Sequence, residues 1–236
     1  MDDLALHLDF ANHHANATPD DITKLCTDVV QYGFHTAFVN PVYVKLAKSV
    51  LKNRAKVGCV ISFPLGQDVV STKTAATNQA VMDGVDELDV VPNLGLYFSG
   101  QKQAFLQEMT DIVESARMLG RRVIVKFILD PGYFDKLPES TLAMQEVAHL
   151  IEASGADFVK IGSGMGPRNP SVEDVKTIRF AVPDMKIKVA GGIETRSQAV
   201  AMLNAGAIRI GTSHAISIVT KKYSKVTKNR SPQHSE

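Results

Sequence analysis

The chain has 236 residues, with 26 Lys and Arg against 25 Asp and Glu for a formal charge of +1, and at roughly 150 residues per domain this length fits one large domain or two small ones. So even a balance leaves no polycationic face for nucleic acid or an anionic membrane. Hydrophobic residues at 44% and charged residues at 22% describe a globular chain able to bury a core, which excludes wholesale disorder.

The first residues, Met1-Asp2-Asp3, are acidic where a secretory signal needs a basic start. The apolar runs at 57–63 and 123–129 are far shorter than the ~20 residues that cross a bilayer, so a cytoplasmic protein with no membrane partner is expected. The spacing predicts strands at 6–10, 35–39, 56–61, 87–91, 122–128, 158–161, 186–190 and 208–211, each followed by an amphipathic stretch. After the first strand, Thr18-Pro19-Asp20-Asp21 offers an N-cap hydroxyl, a proline at the first helical position and acids in the first turn, and Gly33 stops the helix. Cys26 and Cys59 sit in apolar runs without metal-ligand spacing and read as buried reduced thiols. Gly84, Gly120, Gly155 and Gly206 stand where helices end in the left-handed conformation, and Ser171-Val172-Glu173-Asp174 opens a late helix with acids near its positive end.

Parallel strands alternating with helices at this count over ~200–250 residues are the signature of an α/β fold, a single (β/α)8 barrel. A doubly wound sheet is the rival. It would place a glycine fingerprint after the first strand, where Asp9-Phe10-Ala11-Asn12-His13-His14 stands instead. The barrel domain is expected over 1–220. Residues 221–236, with Lys221, Lys222, Lys225, Lys228 and Arg230, read as a flexible basic tail.

Catalytic groups of such a barrel sit at the carboxyl ends of its strands, so charges inside strand-like runs are informative. Asp89, Lys126, Lys160 and Lys188 fall in the fourth to seventh strands. Either each points outward beneath the helices, or they meet inside, where buried charge demands mutual compensation. Two lysines near one carboxylate suit a specific chemistry. A second cation and partial desolvation free an amine to form a Schiff base, whose protonated imine takes up the electron pair of a breaking carbon–carbon bond. Asp89 would hold the spectator lysine charged and help move protons. Periodicity alone leaves open which lysine is the nucleophile.

Glycines in the late loops address the other end of a substrate. Gly162-Ser163-Gly164, Gly191-Gly192 and Gly211-Thr212-Ser213 are expected to present backbone N–H groups to an anionic group at helix starts. His13, His14 and His35 complete no carboxylate–histidine set at strand ends, so no metal and no cofactor is expected.

Read together, Val39-Asn40-Pro41, Phe63-Pro64-Leu65-Gly66, Asp86-Glu87-Leu88-Asp89-Val90-Val91, Gly155-Ala156-Asp157-Phe158-Val159-Lys160, Ala190-Gly191-Gly192-Ile193 and Arg209-Ile210-Gly211-Thr212-Ser213 resemble the deoxyribose-phosphate aldolase family over residues 8–218. These are class I aldolases that reversibly join acetaldehyde and glyceraldehyde 3-phosphate. The resemblance implies Lys160 as the Schiff-base lysine, Lys188 as the lysine that lowers its pKa, and Asp89 as the aspartate of the proton relay. It implies Asp9 and Lys126 as further site residues, a small aldehyde or sugar phosphate as partner in carbohydrate catabolism, and room for a homo-oligomer.

The departures fall in the loops. Lys160-Ile161-Gly162-Ser163-Gly164 lacks two hydroxyls of the family's usual Lys-Thr-Ser-Thr-Gly, Ala11 replaces a threonine, His214 stands where a second serine is common, and Glu194 follows Gly191-Gly192-Ile193 where an arginine is usual. Arg168 either supplies the lost cation or is simply solvated. The altered loops keep open a related imine-forming lyase acting on a different, unphosphorylated aldehyde or sugar. A catalytically silent sugar-phosphate-binding barrel is the third reading, against which the Asp89, Lys160 and Lys188 trio speaks.

Overall fold

The strand words close on themselves. In the computed structural model, which describes residues 3–118 and 122–220, eight strands pair in parallel and in chain order, with the first also pairing to the last. They are β1 (Leu8–Asn12), β2 (Thr36–Val39), β3 (Lys56–Ile61), β4 (Glu87–Val90), β5 (Ile124–Leu129), β6 (Phe158–Ile161), β7 (Lys186–Ala190) and β8 (Arg209–Thr212). The third, sixth and seventh occupy their predicted spans. β1 starts later than expected because Asp3–His7 winds into a 3-10 turn that buries Leu4 and Ala5. β5 and β8 are shifted the same way, so β8 takes in Thr212 as well as Gly211, both read in sequence as part of the loop word Gly211-Thr212-Ser213.

Helices α1 (Pro19–Tyr32), α2 (Val44–Leu51), α3 (Val70–Met82), α4 (Leu94–Phe98), α5 (Lys102–Arg117), α6 (Ser140–Ala153), α7 (Val172–Ala181), α8 (Arg196–Asn204) and α9 (Ala215–Thr220) surround the barrel. The start of α1 follows its sequence signal. Thr18 Oγ1 accepts the Asp21 N–H at 3.3 Å, the Asp21 carboxylate accepts the Thr18 N–H at 2.8 Å, and Gly33 ends the helix at φ 71°. Ser171 with Asp174 repeats the device on α7, and Thr195 with Gln198 on α8. Gly84 and Gly155 turn the chain at φ 99° and 81°, conformations that only glycine adopts without strain. Two residues on, Asp86 accepts the N–H of Val57 and Asp157 that of Val125, each at 2.9 Å. The repeated Gly-x-Asp word thus satisfies a donor at the start of the neighbouring strand. The helix stop expected at Gly120 and the basic tail at 221–236 lie outside the described residues.

Side chains alternate across the barrel wall. Val57, Cys59, Leu88, Val125, Phe127 and Ile187 face outward and are fully buried among the helices. Each such side chain contributes about 1.5–3 kcal/mol, so the layer outside the barrel carries the apolar core. Inside, a Cβ on Gly58 would fall 2.3 Å from Phe38 Cζ, and the Phe38 ring takes that space, 1% exposed. Cys26 and Cys59 are buried free thiols; burial pushes both pKa values up, that of Cys26 to about 11. Among the described residues no helix is long and apolar enough to cross a membrane.

Candidate active site

The period of two turns the residues alternating with that apolar layer into the barrel, and there they form one continuous charged cluster. At its base, Arg209, the first residue of β8, donates through Nε to Asp9 Oδ1 at 2.9 Å and through Nη2 to the same oxygen, to Thr36 Oγ1 at 2.7 Å and to Glu87 Oε2 at 3.1 Å. Lys126 Nζ bridges Glu87 Oε2 at 2.6 Å and Asp89 Oδ1 at 3.1 Å. Above them Lys188 Nζ donates to Asp89 Oδ2 at 2.7 Å, and Lys160 Nζ stands 2.9 Å from that same oxygen. Asp9 Oδ2 lies 2.8 Å from Lys188 Nζ as an ion pair without hydrogen-bond geometry. The β6–β7 register places Lys160 beside Lys188, and the β4–β5 register places Asp89 beside Lys126.

Four basic side chains therefore face three carboxylates. Burial opposes the ionised form of Asp89, but Lys126, Lys160 and Lys188 hold its carboxyl well below the usual carboxylate range. Glu87 is brought down to about 2, with Lys126 and Arg209 overcoming burial. Lys126 and Arg209 stay charged despite burial because two carboxylates face each of them. Burial, reinforced by Lys160 and Lys126, lowers Lys188 to about 8 against the pull of Asp89 and Asp9. The Phe38 ring sits 3.4 Å from Lys188 Nζ, its face stabilising the cation while keeping water away.

Directly over Lys160 and Lys188 opens a cavity of about 240 Å³, with Asp89 and Phe38 at its base. Its rim carries Ser163, Gly164, Gly191, Gly192 and Ser213, and its wall includes His13, His214 and the exposed Glu194. His13 packs at 5.4 Å against the Phe63 ring, and its Nδ1 is buried without a hydrogen-bond partner. Burial and the nearby Lys160 lower its pKa to about 3, so the imidazole is neutral. A larger groove of about 770 Å³ lies on the outer surface near Tyr97 and His149, away from the charged cluster.

The loop after β6 is fixed from outside the cavity. Asp130 accepts the Ser163 N–H at 2.7 Å, Gly162 N–H goes to the Leu129 carbonyl at 2.8 Å, and Ser163 Oγ accepts the Met165 N–H at 2.9 Å. Arg168 grips Asp135 at 2.7 Å and Asp174 at 2.6 Å. It is neither a replacement cation at the rim nor merely solvated, but a clamp between two loops and α7.

The structure gathers Asp89, Lys160, Lys188, Ser163, Gly164, Gly191, Gly192, Gly211 and Ser213 around one cavity. Asp9 and Lys126, expected at the substrate, lie beneath it, each fully buried. Gly162 is also off the wall: a Cβ there would meet the Ala190 carbonyl at 2.3 Å, so this glycine answers to backbone crowding. Gly211 is needed for room beside Lys188, whose Cε would be 3.1 Å from an added Cβ. Asp89, expected to hold the spectator lysine charged and help move protons, pairs through one oxygen with both Lys160 and Lys188. Sequence reading missed Glu87, Arg209 and Asp130, and considered His13 only as a ligand. Among the described residues no group of three His, Cys, Asp or Glu is placed to hold a metal, and His35 sits at the other end of the barrel, on Arg209.

Residues 3–216 match the family model described as DeoC/LacD family aldolase. A deoxyribose-phosphate aldolase of Thermococcus gammatolerans is 41% identical over 221 residues, covering 92% of this chain and 95% of that one. One from Aciduliprofundum boonei is 38% identical over 92% of this chain and 96% of its own length. Among solved structures, "QR15, an Aldolase" superposes with a TM-score of 0.86 at 32% identity, covering 92% and 95% of the two chains. The tetrameric deoxyribose phosphate aldolase from Aeropyrum pernix does so with 0.82 at 30% identity, covering 92% and 89%.

Proposed function

Because this chain belongs to the DeoC/LacD family of aldolases, we propose that it is a Schiff-base aldolase reversibly cleaving 2-deoxy-D-ribose 5-phosphate to acetaldehyde and D-glyceraldehyde 3-phosphate. The observation that carries this reading is the Lys160–Lys188 pair meeting at one oxygen of Asp89 under an open cavity. A cluster with one cation too many is relieved by losing one proton, and a neutral amine is a nucleophile toward an aldehyde.

Lys160 Nζ attacks C1 of the open-chain sugar; the C–N bond forms and the carbonyl oxygen takes a proton. Loss of water leaves a protonated imine. When the C3 hydroxyl gives up its proton, the C2–C3 electron pair moves into the imine, that bond breaks, and glyceraldehyde 3-phosphate departs. The remaining enamine takes a proton at C2, and water returns acetaldehyde and the free amine. Lys188, at about 8, both gives and accepts a proton near neutral pH, the match general acid–base catalysis requires. Asp89 orients both amines, while Asp9 and Lys126 support them from below. Gly164, Gly191, Gly192 and Ser213 offer the rim at which the phosphate would sit.

We take residues 1–220 as one catalytic domain with 221–236 as an appended tail. The reduced thiols Cys26 and Cys59 support a cytoplasmic setting. The tetrameric Aeropyrum pernix relative supports a homo-oligomer, which light scattering would check. The function is tested by incubating the enzyme with acetaldehyde and borohydride: the reduced adduct is expected on the peptide holding Lys160. An adduct elsewhere, with Lys160→Met still active, overturns the reading.

A further inference from the structure

Arg209 and Glu87 touch no part of the cavity, yet each shares a carboxylate or a cation with the groups that do. We infer that these two residues at the base of the barrel are positioning residues that set how readily the Lys160–Lys188 pair gives up its proton, and hence the pH at which the nucleophile is available. The inference rests on the Schiff-base reading above and adds to it the groups that tune the amine.

The coupling runs through shared oxygens. Arg209 holds Asp9 Oδ1 while Lys188 faces Asp9 Oδ2, so the guanidinium draws off part of the charge that would otherwise keep Lys188 protonated. Glu87 holds Lys126, which otherwise leans wholly on Asp89, the carboxylate both upper amines depend on. Arg209 cannot yield its own proton, since a guanidinium stays charged in proteins. Lys126 is pinned between Glu87 and Asp89. The surplus proton is therefore lost above them, where Lys188 is lowered to about 8.

The remaining neighbours do not take up that role. Arg209 Nη1 donates to His35 Nε2 at 3.0 Å, so that nitrogen accepts and the ring N–H lies on Nδ1, which donates to Thr36 Oγ1 at 2.8 Å. His35 is thus neutral; burial and Arg209 lower its pKa, and its Nδ1 stands 3.8 Å from Glu87 Oε1. His13, facing Lys160 from the wall, is neutral as well.

Charge balance gives the two residues opposite signs. Arg209→Met leaves three cations for three carboxylates, so the pair keeps its protons and the acid limb of the kcat/KM–pH profile moves up by about one unit, a roughly tenfold loss on that limb with the alkaline plateau retained. Glu87→Gln moves the limb down. The double variant restores a surplus of one cation and returns toward the wild-type profile, and Arg209→Lys keeps the wild-type position. A residue that only held the barrel together would lower activity without moving the limb in opposite directions. Should Arg209→Met fail to fold, Glu87→Gln and Arg209→Lys still decide the matter.

Profiles should be measured on variants that retain the wild-type circular dichroism and the borohydride adduct on Lys160. Folded variants whose limbs coincide with wild type, or shift the same way, overturn the inference. A wild-type enzyme giving no Lys160 adduct overturns instead the Schiff-base reading.

Discussion

At the base of the barrel, Glu87 accepts from both Lys126 and Arg209, and Arg209 in turn donates to Thr36 and to Asp9 Oδ1, whose other oxygen points up to Lys188. At the open end two amines compete for one oxygen of Asp89, and His13 keeps a ring nitrogen with no partner. Both ends are buried and built from the same residue types. The difference is the degree of satisfaction: the base is arranged to be stable, and the top is left short of partners so that a substrate can supply them, the usual opposition between stability and function at a site.

Mutations should separate the ends. Lys160→Met should abolish turnover, by at least about a thousandfold, while the melting temperature stays level or rises because a surplus cation is gone. A fall of several degrees would mean that Lys160 is structural. Lys126→Met should do the reverse to stability. It strips a shared partner from Glu87 and Asp89, a loss of about 3–5 kcal/mol for a broken buried pair, or roughly 6–20 °C in Tm for a chain of this size.

The ends should also titrate apart. Glu87, lowered from its ordinary 4.5 to about 2, adds stability that is fully present above pH 4.5 and is lost as pH falls toward 2. Lys188, lowered from 10.5 to about 8, acts oppositely: between those values the unfolded chain holds a proton the folded one has released, so folding gains as pH rises through that window. Urea midpoints across pH for wild type, Glu87→Gln and Lys188→Leu should show the acid slope flattened in the first variant and the alkaline gain missing in the second.

Two smaller effects refine the picture of the open end. Glu194→Arg should raise kcat/KM for glyceraldehyde 3-phosphate relative to glyceraldehyde by several fold, about 1 kcal/mol for a charge-assisted contact at the rim; an unchanged ratio would place the phosphate elsewhere. His13→Leu should stabilise the protein by about 1 kcal/mol by removing an unpaired buried nitrogen, and a lower Tm would show that the ring has a structural partner.

Much of this was legible beforehand because the chemistry ran against the fold. Asp89, Lys126, Lys160 and Lys188 stand out in strands whose other faces are apolar, and the capping residues Thr18 and Ser171 act locally. Glu87 and Arg209 were hidden by position. Each opens its strand, as Lys56 and Lys186 do, yet Lys56 and Lys186 are exposed whereas Glu87 and Arg209 are buried. Parity with Asp89 assigns Glu87 a face, but depth depends on how strands stagger around the closed barrel, which no single strand records. Asp130 and Arg168 were illegible for a different reason: Ser163 and Asp135 are brought near them by the meeting of separate loops, and Asp174 reaches Arg168 from the first turn of α7.

The ring of Phe38, seated where Gly58 has no side chain, constrains how this protein can change over time. Any larger residue at 58 collides with the ring, since even a Cβ would lie 2.3 Å from it, so it requires a smaller residue at 38. A smaller residue at 38, arriving first, opens the space beneath Lys188 to water and weakens the desolvation that sets its proton affinity. The two positions are therefore open to exchange only as a pair, and each single step toward that exchange passes through a poorer enzyme.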